Sequence, residues 1–324
     1  ASYLALGPDA PGAAVVALCM FVYLAWGVAM PLADAILLSA TRRTDRIDYG
    51  FARSFGSAAF IFASLGLGWL IQIFGPDAAL YWLWGASFLM VISALVLDDE
   101  PLNERPQANI VTIVRNGARL YQNRRMLAAA LAGALIQSSH AHLYNNATPI
   151  WVSQGISQSE IGFLWSLGVF VEVVLLAVSA WVFRRWTPGA LIVLGGAGAV
   201  VRWTIMGFLP PAAAVYGLQC LHALSFAATH LGMIRFIADE LPPADRPMAI
   251  SVNSALAFGP AMAVLGFVVG WLYDLQADAG PAGQAQGYWV MAISAGIGAL
   301  TAVLVIRRRQ PHRSVEGGET TPLA

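Results

Sequence analysis

Four side chains set in apolar runs could do chemistry. Glu172 lies in Phe163-Leu-Trp-Ser-Leu-Gly-Val-Phe-Val-Glu172-Val, Arg202 in Ala199-Val-Val-Arg202-Trp-Thr-Ile-Met, and His222 and His230 on the next apolar stretch. A charge near the centre of a bilayer costs roughly 2.5–3.5 kcal/mol on insertion scales. An acid, a base and two imidazoles on successive membrane helices must recover that cost by pairing. Such clusters mark a proton or substrate pathway. Arginine's planar guanidinium grips a carboxylate bidentately, so Arg202 suits a carboxylate substrate, and protonation of Glu172 would free it for that substrate. The bland alternative is a structural ion pair between the two. His222 and His230 are eight residues apart, about 80° around an α-helix, so both can face one cavity. Histidine titrates near physiological pH, which suits proton transfer; a neutral ring bonded to a neighbouring helix is the competing reading.

Other polar positions extend this set. Gln137, His140, Tyr144 and Thr148 fall at i, i+3, i+7 and i+11, a polar stripe along one helix face. Such a stripe must face protein or a water-filled cavity. His142 points away from it and reads as structural, and Asn145 and Asn146 read as bonds across helices. Asp34 follows Pro31, which would disturb its helix, and is either a cavity residue or the partner of Arg53. Trp165 and Trp203 share helices with Glu172 and Arg202, which sets them apart from the remaining interfacial or core tryptophans. The glycines Gly56, Gly66, Gly68, Gly195, Gly196, Gly198, Gly266 and Gly270 read as points of close helix approach.

The elements that must carry these residues are membrane helices. The chain is 58% hydrophobic and 11% charged, with mean hydropathy +0.65, against about 25% charged residues in a soluble domain. Nine apolar segments of spanning length run over 14–40, 52–74, 77–97, 126–152, 159–183, 188–209, 212–237, 248–273 and 286–306. All 18 basic residues are arginine, and they alternate. Arg42, Arg43 and Arg46, then Arg105 to Arg125, Arg184 and Arg185, Arg246, and Arg307 to Arg313 flank one side. The connections at Gly75–Asp77, Ser153–Ser159, Pro210–Pro211 and Asp274–Gly287 hold none. Arginine-rich loops are cytoplasmic, which predicts a cytoplasmic C-terminus.

Residues 1–97 read as the remainder of an N-terminal bundle of three helices. Residues 98–125 read as a cytoplasmic central loop with an interfacial amphipathic helix, 126–307 as a six-helix C-terminal bundle, and 308–324 as a disordered cytoplasmic tail. Three helices before the loop and six after it suggest that three N-terminal helices are missing from this chain; a non-transporting fragment is the alternative that this leaves open. Net charge is zero, and nothing points to nucleic acid. No zinc-ligand spacing, serine elbow or Walker lysine exists, so no enzyme, metal, cofactor or ATP-driven pump is expected. Cys19 and Cys220 read as small apolar-segment residues rather than a disulfide framework.

Several motifs carry a family resemblance. Asp48-Tyr-Gly-Phe-Ala-Arg53-Ser-Phe-Gly-Ser57 after an arginine-rich loop looks like a helix junction of the lactose permease and nucleoside-proton symporter branch of the major facilitator superfamily. Gln137-Ser-Ser-His140, Gly162-Phe-Leu-Trp-Ser-Leu-Gly-Val, Val171-Glu172-Val, Val201-Arg202-Trp, and Leu221-His222 through Thr229-His230-Leu resemble the 3-phenylpropionate (hydrocinnamate) transporter family. The resemblance runs from about Val22 to Arg308. It implies two helical bundles opened alternately to either side of a membrane, with the nine segments matching helices four to twelve. It places Arg53 where that branch has a substrate-contacting arginine and Asp34 where it has a fourth-helix acid. Glu172, Arg202, His222 and His230 fall on helices that carry its substrate contacts and proton relay. The branch's acid on the tenth helix has no counterpart between His222 and Arg235. The expectation is a monomeric all-α inner-membrane transporter coupling protons to a small organic acid, for example an aromatic one such as 3-phenylpropionate, with a nucleoside or sugar as the alternative cargo.

Overall fold

The computed structural model describes residues 49–96 and 110–306. The segment 14–40 with Asp34, the polar stretch before Ile110 and the tail lie outside the described residues. So does the side chain of Arg53, whose backbone belongs to the first helix.

The described chain is helical, with no strand among the described residues. Helix α1 covers Tyr49–Phe74, α2 Ala78–Val96, α3 Ile110–Leu120, α4 Arg124–Ser138, α5 Ala141–Ser153, α6 Gln158–Val182 and α7 Pro188–Met206. Then follow α8 Ala212–Cys220, a π-helical turn Ala223–Ala228, and α9 Thr229–Glu240. Helix α10 (Arg246–Leu256) joins α11 (Met262–Leu275) through a second π segment, Ala257–Ala261, and the short α12 (Gly280–Gln284) precedes α13 (Gly287–Ile306).

Local chemistry sets the boundaries. Gly75 turns the chain after α1 at φ 82°, and Gly155 turns it after α5 at φ 81°. Helix α6 opens on a capping box: Ser157 N donates to Glu160 Oε2 (2.9 Å) and Glu160 N to Ser157 Oγ (3.3 Å). Thr187 Oγ1 accepts from Ala190 N at the start of α7, where Pro188 fits the first turn. Pro260 lacks the N–H that would continue the helix, and Gly259 before it leaves helical geometry at φ −96°, ψ −107°.

Six of the described stretches are long and apolar enough to cross a membrane: Ser54–Phe74, Ala78–Val96, Gln158–Val182, Pro188–Met206, Ala212–Glu240 and Arg246–Leu275. A seventh arises if the bent pair Ala277–Gln284 and Gly287–Val303 counts as one span. The segment expected over 126–152 is not one straight helix. It is α4 and α5, broken at Ser139–His140, where Ser139 Oγ bonds back to Ile136 O (2.6 Å) and competes with the helix ladder.

The chain divides into two units. The first joins residues 1–105 to 155–173. In it α1 meets the start of α6 at Gly68 and Gly162, where a Cβ on Gly162 would sit 2.4 Å from Ser64 O. Ser166 Oγ reaches Ile61 O at 3.1 Å across that contact. The second unit joins residues 106–154 to 174–324. Its core is α4, α7, α9 and α13. A Cβ on Gly196 would meet Ala299 Cβ at 2.7 Å, and one on Gly195 would meet Thr229 Oγ1. Among the described residues Gly270 has no neighbour within 4 Å of its Cβ position, so they show no close approach there. At one end, Arg125 Nη1 donates to Glu240 Oε2 (2.8 Å) and Asn123 Nδ2 to Glu240 Oε1 (3.2 Å), tying α4 to α9.

Candidate functional site

Arg202 is the anchor of the second unit. It lies on α7 with 0% exposure. Its Nη1 donates to His222 Nδ1 (3.2 Å) and Ser225 Oγ (3.3 Å), and its Nη2 to Gln219 Oε1. Its Nε is buried without a hydrogen-bond partner. Every one of these acceptors is neutral. A guanidinium stays charged in proteins, so the unit's interior holds a fixed cation solvated by an amide, an imidazole and a hydroxyl.

These contacts fix the protons. Arginine can only donate, so His222 Nδ1 accepts and carries no proton in this arrangement. The Gln137 carbonyl can only accept, so His140 Nδ1 (3.0 Å) carries a proton; with the ring neutral, its Nε2 accepts from Ser225 Oγ (3.1 Å). Ser225 thus receives from Arg202 and gives to His140. His222 is neutral in this arrangement, and adding a proton to its Nδ1 would set donor against donor and break its bond to Arg202.

The break between α4 and α5 is what turns His140 into this network. Its ring meets His222 edge-on at 5.3 Å, Trp203 at 5.1 Å and Phe226 at 5.9 Å, and stacks with Tyr144 at 5.8 Å. Trp203 Nε1 donates to Ser139 Oγ at 2.9 Å, and the Arg202 guanidinium lies 4.5 Å from the Trp203 ring centroid. Trp203 stacks on Tyr288 (5.7 Å), which meets His142 edge-on at 4.4 Å. A buried cation within aromatic rings can hold a carboxylate against a planar apolar body.

The structure brings together Gln137, His140, Arg202 and His222. Gln137 is buried, with its Nε2 donating to Phe226 O at 3.3 Å. Tyr144 touches the cluster at its rim and is 41% exposed. His230 is not in it. The π turn between the two histidines changes the helix phase, and His222 is buried while His230 is exposed. Trp165 and Glu172, two turns apart on α6, are half-buried and belong to the first unit. Asn146 bonds within its own helix, to His142 Nδ1 (3.0 Å), rather than across helices. The sequence reading missed Ser139, Gln219, Ser225 and Tyr288. Gln219 carried a signal, three residues before His222 on one helix face; a serine or a tyrosine in a membrane helix carries none.

All-helical, with six or seven apolar spans and a polar, cationic interior in one unit, this is the build of a multi-pass membrane transporter. The chain belongs to the MFS_1 like family of the major facilitator superfamily, whose family model matches residues 2–279. It is 31% identical over 267 residues to the "Probable 3-phenylpropionic acid transporter" of Escherichia coli (strain K12), covering 82% of this chain and 67% of that protein. It is 22% identical over 252 residues to the "Uncharacterized transporter YwbF" of Bacillus subtilis (strain 168), covering 76% of this chain and 60% of that one. A crystal structure of a mutant of the nucleoside transporter NupG shares the fold, with a TM-score of 0.62 at 17% identity over 79% of this chain and 67% of that chain. The protein is therefore a transporter of the major facilitator type that moves a small molecule through a membrane, and not an enzyme.

Proposed function

We propose that the protein moves a small organic acid, an aromatic carboxylate such as 3-phenylpropionate, together with protons across a bacterial inner membrane by alternating access. The observation that carries this reading is Arg202, a buried guanidinium bonded only to neutral groups and with Nε unpartnered. A buried cation without a counter-ion is costly, and an anionic substrate supplies the missing charge. The aromatic rings of His140, Trp203 and Phe226 suit an aryl group, and the E. coli relative's name points to the same class of acid. A nucleoside or sugar would leave the charge uncompensated, and the likeness to NupG concerns the fold. Glu172 is the proposed proton carrier, a carboxylate set in an apolar membrane helix that takes up and releases the coupled proton. The monomeric state and the division into a remainder of the N-terminal bundle, a cytoplasmic central loop and a C-terminal bundle belong to the same proposal.

The test is uptake of labelled 3-phenylpropionate into proteoliposomes under an imposed inward proton gradient. Accumulation above equilibrium that a protonophore abolishes is the expected result. Folded protein that accumulates a nucleoside but not the acid would overturn the reading.

A further inference from the structure

Resting on the reading of Arg202 as a carboxylate anchor, we infer that the Tyr288 hydroxyl is a second substrate-binding donor, which binds the carboxylate oxygen that Arg202 does not hold. Arg202 cannot present its whole fork. Nη1 is committed twice, to His222 and Ser225, and Nη2 is engaged with Gln219. Nε–H is without a partner, and one of the two Nη2 hydrogens is uncommitted. A carboxylate has two oxygens and about four acceptor positions, more than the two remaining arginine donors can fill, so a further donor beside them adds to its hold.

Tyr288 offers that donor. It is 1% exposed, and its hydroxyl is buried with no hydrogen-bond partner. A tyrosine hydroxyl in such a place normally finds a partner, and leaving it unsatisfied is costly. Tyr288 and Arg202 meet the same ring: the tyrosine stacks on Trp203 at 5.7 Å with 13° between planes, and the guanidinium carbon lies 4.5 Å from the Trp203 centroid. The indole is itself held, by Nε1–H donating to Ser139. Trp203 therefore spaces two orphaned donors at fixed positions.

His142 holds Tyr288 in place. Its ring is edge-on to the phenol at 4.4 Å. Asn146 Nδ2 donates to His142 Nδ1, which leaves Nε2 protonated, buried and also without a partner. The histidine is wedged against the start of α13, since a Cβ on Gly287 would lie 2.4 Å from its Cε1. Three orphaned groups here (Arg202 Nε, Tyr288 Oη and His142 Nε2) can act as donors, against one orphaned acceptor, Gln137 Oε1. That excess calls for a ligand that accepts, as an anion does.

Tyr288→Phe keeps the stack and removes only the hydroxyl. Binding of labelled 3-phenylpropionate and of its neutral amide, 3-phenylpropionamide, is measured on the purified full-length protein, alongside its melting temperature. The expected result is an affinity for the acid at least tenfold weaker, the amide affected less than threefold, and a melting temperature unchanged or raised. An acid affinity within twofold of the unmutated protein overturns the inference, as does an equal loss for acid and amide. Should Tyr288→Phe fail to fold, Tyr288→Trp and Gly287→Ala are measured the same way. The first removes the hydroxyl and the second displaces it by pressing on His142, and unchanged acid-over-amide selectivity in both overturns it too. If the unmutated, folded protein binds no acid while binding a nucleoside, the reading of Arg202 fails instead.

Discussion

Arg202 is the position at which an acid site and a structural residue make opposite forecasts. Lysine keeps the charge and could satisfy Gln219, His222 or Ser225, but it lacks the planar Nε edge. Arg202→Lys should raise KM for an aromatic acid about 10–100-fold, about 1.4–2.8 kcal/mol, while a neutral analogue changes little. Equal losses for both would make Arg202 a structural group. Glu172 yields a different split. Glu172→Gln should abolish accumulation driven by a proton gradient yet leave exchange of labelled for unlabelled acid, as expected of a residue that carries the proton and not the cargo. Exchange lost together with accumulation would argue against the relay. Both residues were legible in the sequence because a charge inside an apolar run breaks the membrane pattern. The neutral partners that define what Arg202 can do were not: Ser139, Gln219, Ser225 and Tyr288 break no pattern, and their roles come from which helices touch.

Individual helices add constraints that single residues cannot show. The sequence reading expected one spanning helix over 126–152; the break at Ser139–His140 is what aims His140 at Ser225 and Ser139 at Trp203. The π turn at Ala223–Ala228 does the same for His222, separating it from His230. Neither feature has a proline or glycine to announce it. The small-residue contacts were legible in kind but not in position. A Cβ on Gly195 would lie 2.0 Å from Thr229 Oγ1, 2.9 Å from Thr229 N and 3.0 Å from Leu224 O. Two of those atoms are backbone, so no rotamer change relieves the clash. Gly195→Ala should lower stability by about 1–3 kcal/mol, the usual cost of overpacking, seen as a lower melting temperature in detergent. Gly270→Ala, with nothing within 4 Å, serves as the control and should stay within about 0.5 kcal/mol. If both variants melted alike, the approach of α7 to α9 would be looser than described.

The molecule as a whole must sit one way in its membrane, and its charges say which. Long apolar side chains are exposed along the spans, among them Phe62 at 74%, Phe267 at 78% and Leu300 at 72%. On a soluble protein such surface would aggregate; within lipid it is the outer surface. Arg184 and Arg185 end the turn after α6, whereas the end of α11 carries Asp274 and the connection after it Asp278, with no arginine. Because arginine-rich short loops stay in the cytoplasm and acidic residues contribute little, the arginine turn should face inward and the acidic connection outward. With Cys19 and Cys220 replaced by serine, Asp278→Cys and Arg185→Cys each offer one exposed thiol. In intact spheroplasts a membrane-impermeant maleimide should label the first and reach the second only after the membrane is opened. The reverse pattern would invert the protein, although symport would still follow the proton gradient inward, because the gradients and not the orientation set its direction. The sidedness of these two thiols thus decides which face of the protein meets the cytoplasm, and with it the side from which protons reach the pathway during uptake.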